Sequence, residues 1–293
     1  MEGFFSIIRP QQYIKNLFIF LPIFFVGEIT DIQLFSKAFL AFIAFSLSAS
    51  GIYILNDYKD IKEDRRHPKK KKRPLASGLI STNESMTFMI LLFIFGFSLM
   101  AYISLKALVI LSIYVILNIS YSFKLKQIAL LDITIIAIGF VLRLFVGSFV
   151  TQTSLTMWIV IMTFLLALFL ALAKRRDDIL LLNKTGKKMR QSIKGYSLQL
   201  IDGTMMVMAS VVIVVYILYS TSQEIIDKFQ SEYIYLTALF VIFGVMRYLQ
   251  ITFVEKHSGS PTEVLLKDKL TAINILLWIV SFIWFIYMTP TSL

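Results

Sequence analysis

Four oxygen-bearing side chains, Asn56, Asp57, Asp60 and Asp64, stand together in the string YILNDYKDIKEDRRHPKKKKRPLASG, just after Tyr53 and just ahead of a cationic segment, Lys69 to Arg73, held between Pro68 and Pro74. On a helix the three carboxylates fall within an arc of about 60°, with Asn56 on its shoulder. Like charges at this spacing repel, and beside a membrane their desolvation costs more, so a counter-charge is expected. Oxygen ligands alone favour Mg²⁺, a hard cation that takes few protein carboxylates and completes its octahedron with water or substrate phosphates. The neighbouring Lys and Arg residues would take the remaining phosphate oxygens, an arrangement that stabilises charge in phosphoryl and pyrophosphate chemistry. The competing assignment pairs the acids with Lys59, Lys62, Arg65 and Arg66 along a solvated helix end.

Three further sites carry charge in unusual places. Lys174, Arg175 and Arg176 follow an apolar run and precede Asp177 and Asp178. They complement a helix C-terminus, and as a cluster they form a second phosphate-binding wall, with Lys126 after Tyr121 supplying a third. Arg143 sits mid-span, where a charge is expensive and marks function unless a partner, Asp132 being the candidate, neutralises it. Lys15 lies just inside the first apolar run and either snorkels to the interface or binds an anion.

The elements that must position these groups are membrane helices. Of 293 residues 57% are apolar and only 16% charged, with mean hydropathy +0.77, which excludes one water-soluble core and excludes disorder for most of the chain. Spans of roughly 20 apolar residues are expected near 12–28, 35–56, 85–105, 107–123, 129–150, 155–173, 203–220, 233–253 and 270–288, given a hydrocarbon core about 30 Å thick. Nine crossings leave one transmembrane domain over 1–293, with cytoplasmic catalytic loops at about 57–83 and 174–202. On alternate sides of these spans Lys and Arg divide 25 to 3, with Arg143 inside the fifth. By the positive-inside rule the N-terminus and long loops are expected in the cytoplasm and the C-terminus outside. Topology and anionic lipid headgroups therefore account for the net charge of +11, and no nucleic-acid partner is expected. With no Cys, and His67 and His257 as the only histidines, disulfides, thiolate catalysis and a His-rich metal site are excluded or disfavoured. No small-x-small cleavage site follows the first apolar run, so no removable signal peptide is expected.

The string Asn56-Asp57-x-x-Asp60-x-x-x-Asp64 resembles the first Asp-rich motif of the UbiA superfamily of intramembrane prenyltransferases, and the likeness spans nearly the whole chain. It implies an all-α integral membrane protein, a nine-transmembrane-helix UbiA-like bundle, with Mg²⁺ and a pyrophosphate held at the motif. A narrower resemblance is to the branch of decaprenyl-phosphate phosphoribosyltransferases and their polyprenyl-phosphate relatives. It rests on RPQQYIKN with Arg9, Pro10, Lys15 and Asn16, on His67-Pro68, Lys70 and Arg73-Pro74, and on Lys174-Arg175-Arg176 where ordinary prenyltransferases carry a second Asp-rich motif. Asp177 and Asp178 are adjacent and point to different helix faces, so they do not restore that motif.

The resemblance implies transfer of 5-phosphoribose from phosphoribosyl pyrophosphate to a polyprenyl phosphate in the cytoplasmic membrane, with the active site facing the cytoplasm. In that reading Asp57, Asp60 and Asp64 are catalytic and Asn56, Asp60 and Asp64 hold Mg²⁺. Lys15, Tyr53, His67, Lys70, Arg73, Tyr121, Lys126, Arg143, Lys174 and Arg175 bind the donor or its phosphates. The alternatives are a UbiA-type transfer from a prenyl diphosphate to an aromatic acceptor and, from another class, a membrane transporter.

Overall fold

A computed structural model describes residues 2–66, 70–185, 191–255 and 261–287, and among these every regular element is helical. In hydrocarbon each backbone N–H and C=O must be satisfied within its own segment, which helices achieve. Among the described residues seven segments are long and apolar enough to cross a membrane: Ile32–Lys59, Thr82–Ile103, Leu105–Phe123, Leu131–Thr151, Met157–Lys184, Leu198–Ser220 and Glu232–Glu255. A shorter apolar helix covers Lys269–Phe285. Their apolar side chains face outward as well as inward: Ile94, Phe95, Tyr102, Val109 and Ile116 are all exposed, as a lipid-facing surface requires.

The chain forms two compact units. The first, Met1–Lys126 with Ile138–Leu155, contains α1 (Glu2–Ile8), a 3-10 segment Pro10–Phe20, α2 (Leu21–Phe25), α3 (Ile32–Lys59), α4 (Ile61–Arg66), a 3-10 turn Lys70–Lys72, α5 (Pro74–Ser77), α6 (Thr82–Ile103), α7 (Leu105–Phe123) and all but the first two turns of α8 (Leu131–Thr151). The second, Gln127–Ala137 with Thr156–Leu293, contains the start of α8, then α9 (Met157–Thr185), α10 (Leu198–Ser220), α11 (Gln223–Phe229), α12 (Ala238–Gln250), α13 (Pro261–Lys267) and α14 (Lys269–Tyr287).

Two elements differ from the sequence expectation. Residues 12–28 do not form one α-helical span; Pro10 and Pro22, each without an N–H, open a 3-10 segment and then a short α-helix, because proline is tolerated only where a segment begins. The apolar run of α9 was expected to end at 173 and give way to a loop, yet the helix continues to Thr185. No Gly or Pro interrupts it, and Arg175 pairs with Asp178 one turn on at 2.7 Å, so the charges support the helix instead of ending it.

Small residues bring α3 and α6 together. Ser46, Ser48, Ala49 and Ser50 are buried on α3, and Gly96 of α6 presses against them: a Cβ there would meet the Ala44 carbonyl oxygen at 2.8 Å and the Ser48 hydroxyl closer still. Such close approach is how membrane helices gain packing energy without a hydrophobic drive between them. Gly147 of α8 similarly abuts the Ile19 backbone of the 3-10 segment, whose carbonyl carbon is 3.0 Å from an added Cβ.

Gly96→Ala should therefore lower the unfolding temperature in detergent, since overpacking costs about 1–3 kcal/mol. Gly203→Ala on α10, where a Cβ meets nothing within 4 Å, should leave it unchanged or raise it through helix propensity. Equal shifts would refute the close approach.

Candidate active site

The acidic helix end of the first unit is built around a buried carboxylate. α3 ends at Lys59 and α4 begins at Ile61, with Asp60 between them, but the turn is kept: the Asp60 N–H donates to Asn56 O at 3.0 Å and the Asp64 N–H to Asp60 O at 2.8 Å. Asp57 and Asp64 thus stay on one side, each only 2% exposed. Arg73 bridges them, its Nη1 donating to Asp57 Oδ1 at 3.0 Å and to Asp64 Oδ2 at 2.6 Å. Arg9 binds the same Asp57 oxygen and lies over the Tyr53 ring, 5.3 Å from its centroid. Asp60 is held apart by Lys126, 2.7 Å from its Oδ1.

Local sequence delivers these partners. Arg73 is the N-cap of α5, whose first residue is Pro74, and the left-handed Gly78 (φ 81°) ends that helix after one turn, as a glycine can without strain. Arg9 itself is left-handed (φ 54°), a conformation that costs a non-glycine residue energy and persists where surroundings enforce it. Here the Asp57 pair does so.

The expected competition between metal binding and ion pairing is resolved unevenly. Lys59, Lys62, Arg65 and Arg66 were the local candidates; the Arg66 side chain lies outside those described, and the acids take Arg9, Arg73 and Lys126 from more distant segments. Among the described residues no three His, Cys, Asp or Glu converge on one point. Asn56 and the 38%-exposed Asp60 remain one turn apart, and the Asn56 amide has no hydrogen-bond partner among the described residues. Two oxygen donors fit a hard divalent ion that draws its other ligands from water and phosphate. Lys70 and Tyr121 are partly buried beside this end of the unit, and His67 lies outside the described residues.

Arg143 does not pair with Asp132. It is 4% exposed and donates Nε to Asn16 Oδ1 at 2.8 Å, Nη1 to the Gly139 carbonyl at 2.5 Å and Nη2 to the Tyr114 hydroxyl at 3.3 Å. Its guanidinium also faces the Phe45 ring at 4.8 Å. Every one of these partners is neutral.

In the second unit Asp132, fully buried, instead accepts from Arg175 Nε at 2.6 Å, from the Tyr196 hydroxyl at 2.7 Å and from the Ser192 hydroxyl at 3.1 Å. Tyr196 in turn accepts the N–H of the left-handed Leu130, and burial with the Asp132 hydrogen bond pushes its phenol well above the usual range. Arg175 is 1% exposed and also binds Asp178. Its guanidinium is thus committed to a buried network that fixes the turn carrying the partly buried Lys174. Arg176 binds Asp202 at 2.7 Å and the Thr252 carbonyl at 2.9 Å. Arg9 in the first unit, and Tyr196 and Ser192 in the second, take part in these networks without having been singled out as site residues. Their residue types gave a hint only in Arg9, beside the helix-breaking Pro10.

The UbiA prenyltransferase family profile matches residues 17–263. Proteins named decaprenyl-phosphate phosphoribosyltransferase are similar throughout: that of Mycolicibacterium smegmatis is 28% identical, covering 95% of this chain and 91% of its own, and that of Corynebacterium glutamicum is 27% identical, covering 99% and 88%. In fold the chain is similar to a UbiA homolog from Archaeoglobus fulgidus bound to GPP and Mg²⁺, with a TM-score of 0.69 at 18% identity over 98% of both chains.

Arg73→Ala should destabilise the detergent-solubilised protein by about 3 kcal/mol, the low end for breaking a buried pair because the arginine itself keeps some solvent contact. Adding Asp64→Asn should restore part of that loss. A thermal-unfolding series in which the second change adds further damage would show that repulsion between Asp57 and Asp64 is not what Arg73 relieves.

Proposed function

Because the chain belongs to the UbiA prenyltransferase family, we propose that it transfers 5-phosphoribose from phosphoribosyl pyrophosphate to a polyprenyl phosphate of the decaprenyl-phosphate type, releasing pyrophosphate. The observation that carries this reading is the charge distribution. Carboxylates gather on the α3–α4 face, whereas on α9 Asp178 is taken by Arg175 at 2.7 Å, Arg175 and Arg176 are paired with Asp132 and Asp202, and the same turn carries the cation Lys174. A prenyl diphosphate donor would call for a second acidic cluster on α9; a donor with an additional phosphate suits cations. The names of the relatives matched over nearly the whole chain support the same donor.

In this mechanism the bond from the ribose C1 to pyrophosphate breaks, the pyrophosphate leaving with the bonding pair, while an oxygen of the lipid phosphate forms the new bond to C1. That oxygen is already anionic, so no general base is required, and a single displacement inverts the anomeric carbon. Asn56 and Asp60 would hold Mg²⁺, which when bound supplies neutralisation of the departing pyrophosphate charge. Asp57 and Asp64 hold Arg9 and Arg73 in position, Arg73, Lys70, His67 and Lys126 bind pyrophosphate oxygens, and Lys174 serves as a phosphate ligand with Arg175 as its positioning residue. The reading takes nine membrane crossings in the cytoplasmic membrane as one catalytic domain, with the N-terminus and site in the cytoplasm and the C-terminus outside.

The test is transfer of radiolabelled ribose from phosphoribosyl pyrophosphate to a polyprenyl phosphate by the purified protein, with and without Mg²⁺, beside a prenyl diphosphate plus 4-hydroxybenzoate control. Labelled lipid formed only with Mg²⁺ is expected. Prenyl transfer with the ribose left in water would overturn the donor in favour of an aromatic prenyltransferase, and liposome flux persisting in Asp60→Ala would favour a transporter. Asn56→Ala and Asp60→Ala should each cost about 100-fold or more in turnover, while Lys71→Ala, on an exposed position, should change it little. For topology, the chain has no cysteine, so single substitutions report cleanly: Lys71→Cys should react with an impermeant maleimide only after permeabilisation, Ser292→Cys in intact cells. The reverse pattern would invert the assigned orientation.

A further inference from the structure

The first unit holds two cations that its own acids do not neutralise. Lys15 is partly buried on the 3-10 segment and has no hydrogen bond or ion pair among the described residues. The charges acting on it are Arg143 and Arg9, both of its own sign. Arg143, as described, has only neutral partners. Of the three cations Arg9 alone meets a carboxylate, and Asp57 is already shared with Arg73. Tyr53 lies among them, within the electrostatic reach of Arg9, Arg143, Tyr13 and Tyr114. A like-charged, desolvated cluster of this kind is unfavourable unless something anionic joins it.

A second observation identifies what kind of anion. From Tyr13 a run of aromatic rings descends α3: Tyr13 packs on Phe42, Phe42 on Phe39 at 6.3 Å, and Phe39 on Phe35 at 6.5 Å, with Phe20 against both Phe35 and Phe42. Phe35 and Phe39 are exposed on a helix apolar enough to cross a membrane. Phe35 to Phe42 spans about 10 Å of helix axis. Tyr13 shares the Ser50 hydroxyl with the Ile8 carbonyl, next to Arg9, and Asn16, next to Lys15, binds Arg143, so the cations stand at one end of this open apolar track.

We infer that Lys15, Arg143 and Arg9 form a binding site for the phosphate monoester of a lipid, whose hydrocarbon chain lies along the Tyr13–Phe42–Phe39–Phe35 track. This rests on the phosphoribosyltransferase reading only in taking that lipid as the acceptor; the binding site itself does not depend on the donor. The assignment separates Lys15 and Arg143 from the donor's phosphates, which fall to the α3–α4 end. Two phosphate oxygens beside an ammonium and a guanidinium make charge-assisted hydrogen bonds, and these are strongest where water is excluded.

The test measures binding without turnover. Purified protein in nanodiscs is titrated with fluorescent-tagged farnesyl phosphate, and farnesol, inorganic phosphate and inorganic pyrophosphate compete. The expectation is that unlabelled farnesyl phosphate displaces the probe, farnesol and inorganic phosphate do so at least about tenfold more weakly, and Lys15→Met loses about tenfold or more in affinity with partial recovery in Lys15→Arg. Because Lys15 has no acid partner, Lys15→Met should also unfold at the same or a higher temperature than the wild type, the opposite of what a structural lysine would show. Arg143→Lys supplies the second variant, with binding read only if its unfolding temperature is within a few degrees of wild type. Unchanged probe affinity in Lys15→Met overturns the site. Displacement by inorganic pyrophosphate as strong as by farnesyl phosphate, with the same Lys15 dependence, overturns the lipid assignment and gives these cations to the donor. Lys15-dependent binding in a protein that fails to transfer ribose would uphold the site while refuting the proposed donor.

Discussion

Asp57 is the interaction on which the first unit turns. A carboxylate buried at the end of a membrane helix is tolerated only if its charge is met by hydrogen-bonded cations, and Asp57 draws two of them from sequence-distant segments, Arg9 and Arg73. Meeting that need folds the opening segment back onto α3, holds Arg9 in a left-handed conformation, and brings the turn between Lys70 and Gly78 over the helix end. The tie to Arg73 then captures Asp64 as well. Asn56 and Asp60, both partly buried, are the members of the acidic string that no arginine engages, Asp60 meeting Lys126 instead.

Small residues supply the second condition. Gly96 and the Ser and Ala run of α3 let two helices approach at backbone distance, and Gly147 does the same for α8 and the 3-10 segment. That second approach matters for charge as well as packing. It sets Asn16 beside Arg143, where the Asn16 amide accepts from the guanidinium and donates to Ser46 at 2.8 Å. Buried polar groups must be satisfied in hydrocarbon, and here the satisfied network orients a cation without discharging it.

Much of this was legible in the sequence, for reasons that lie in residue type. Uninterrupted apolar runs specify membrane helices almost regardless of context, and an acidic string beside a Pro-bounded basic run brings opposite charges together, as Arg73 does with Asp57 and Asp64. The opening segment and α9 were less legible because length and hydropathy do not distinguish a 3-10 segment from an α-helix, or a paired charge that prolongs a helix from one that ends it. Pairing was least legible of all. Arg175 reads as a phosphate ligand until Asp132, forty-three residues earlier, is found to occupy it at 2.6 Å. Asp132 reads as the partner of Arg143 because both lie on one helix, yet eleven residues along a helix axis is about 16 Å, too far for a direct bond.

The two units differ in whether every buried arginine meets an acid. In the second, each of the guanidiniums described finds a carboxylate: the buried Arg175 with Asp132 and Asp178, the buried Arg176 with Asp202, and the partly buried Arg247 with Asp268 and Glu255. Such pairs add little net stability over apolar packing, but they fix geometry, and removal of either partner strands the other. In the first unit Arg143 is given an amide, a hydroxyl, a carbonyl and aromatic faces, and among the described residues neither it nor Lys15 meets an acid. Supplying one would have taken a single Asp on a neighbouring helix; α3 instead places Ser46 against Asn16, the amide that Arg143 binds. A carboxylate there would neutralise the cations permanently and compete with any anion that enters. Leaving them unpaired raises the energy of the empty protein and lowers that of the complex, the trade by which a binding site, as distinct from a structural ion pair, is recognised.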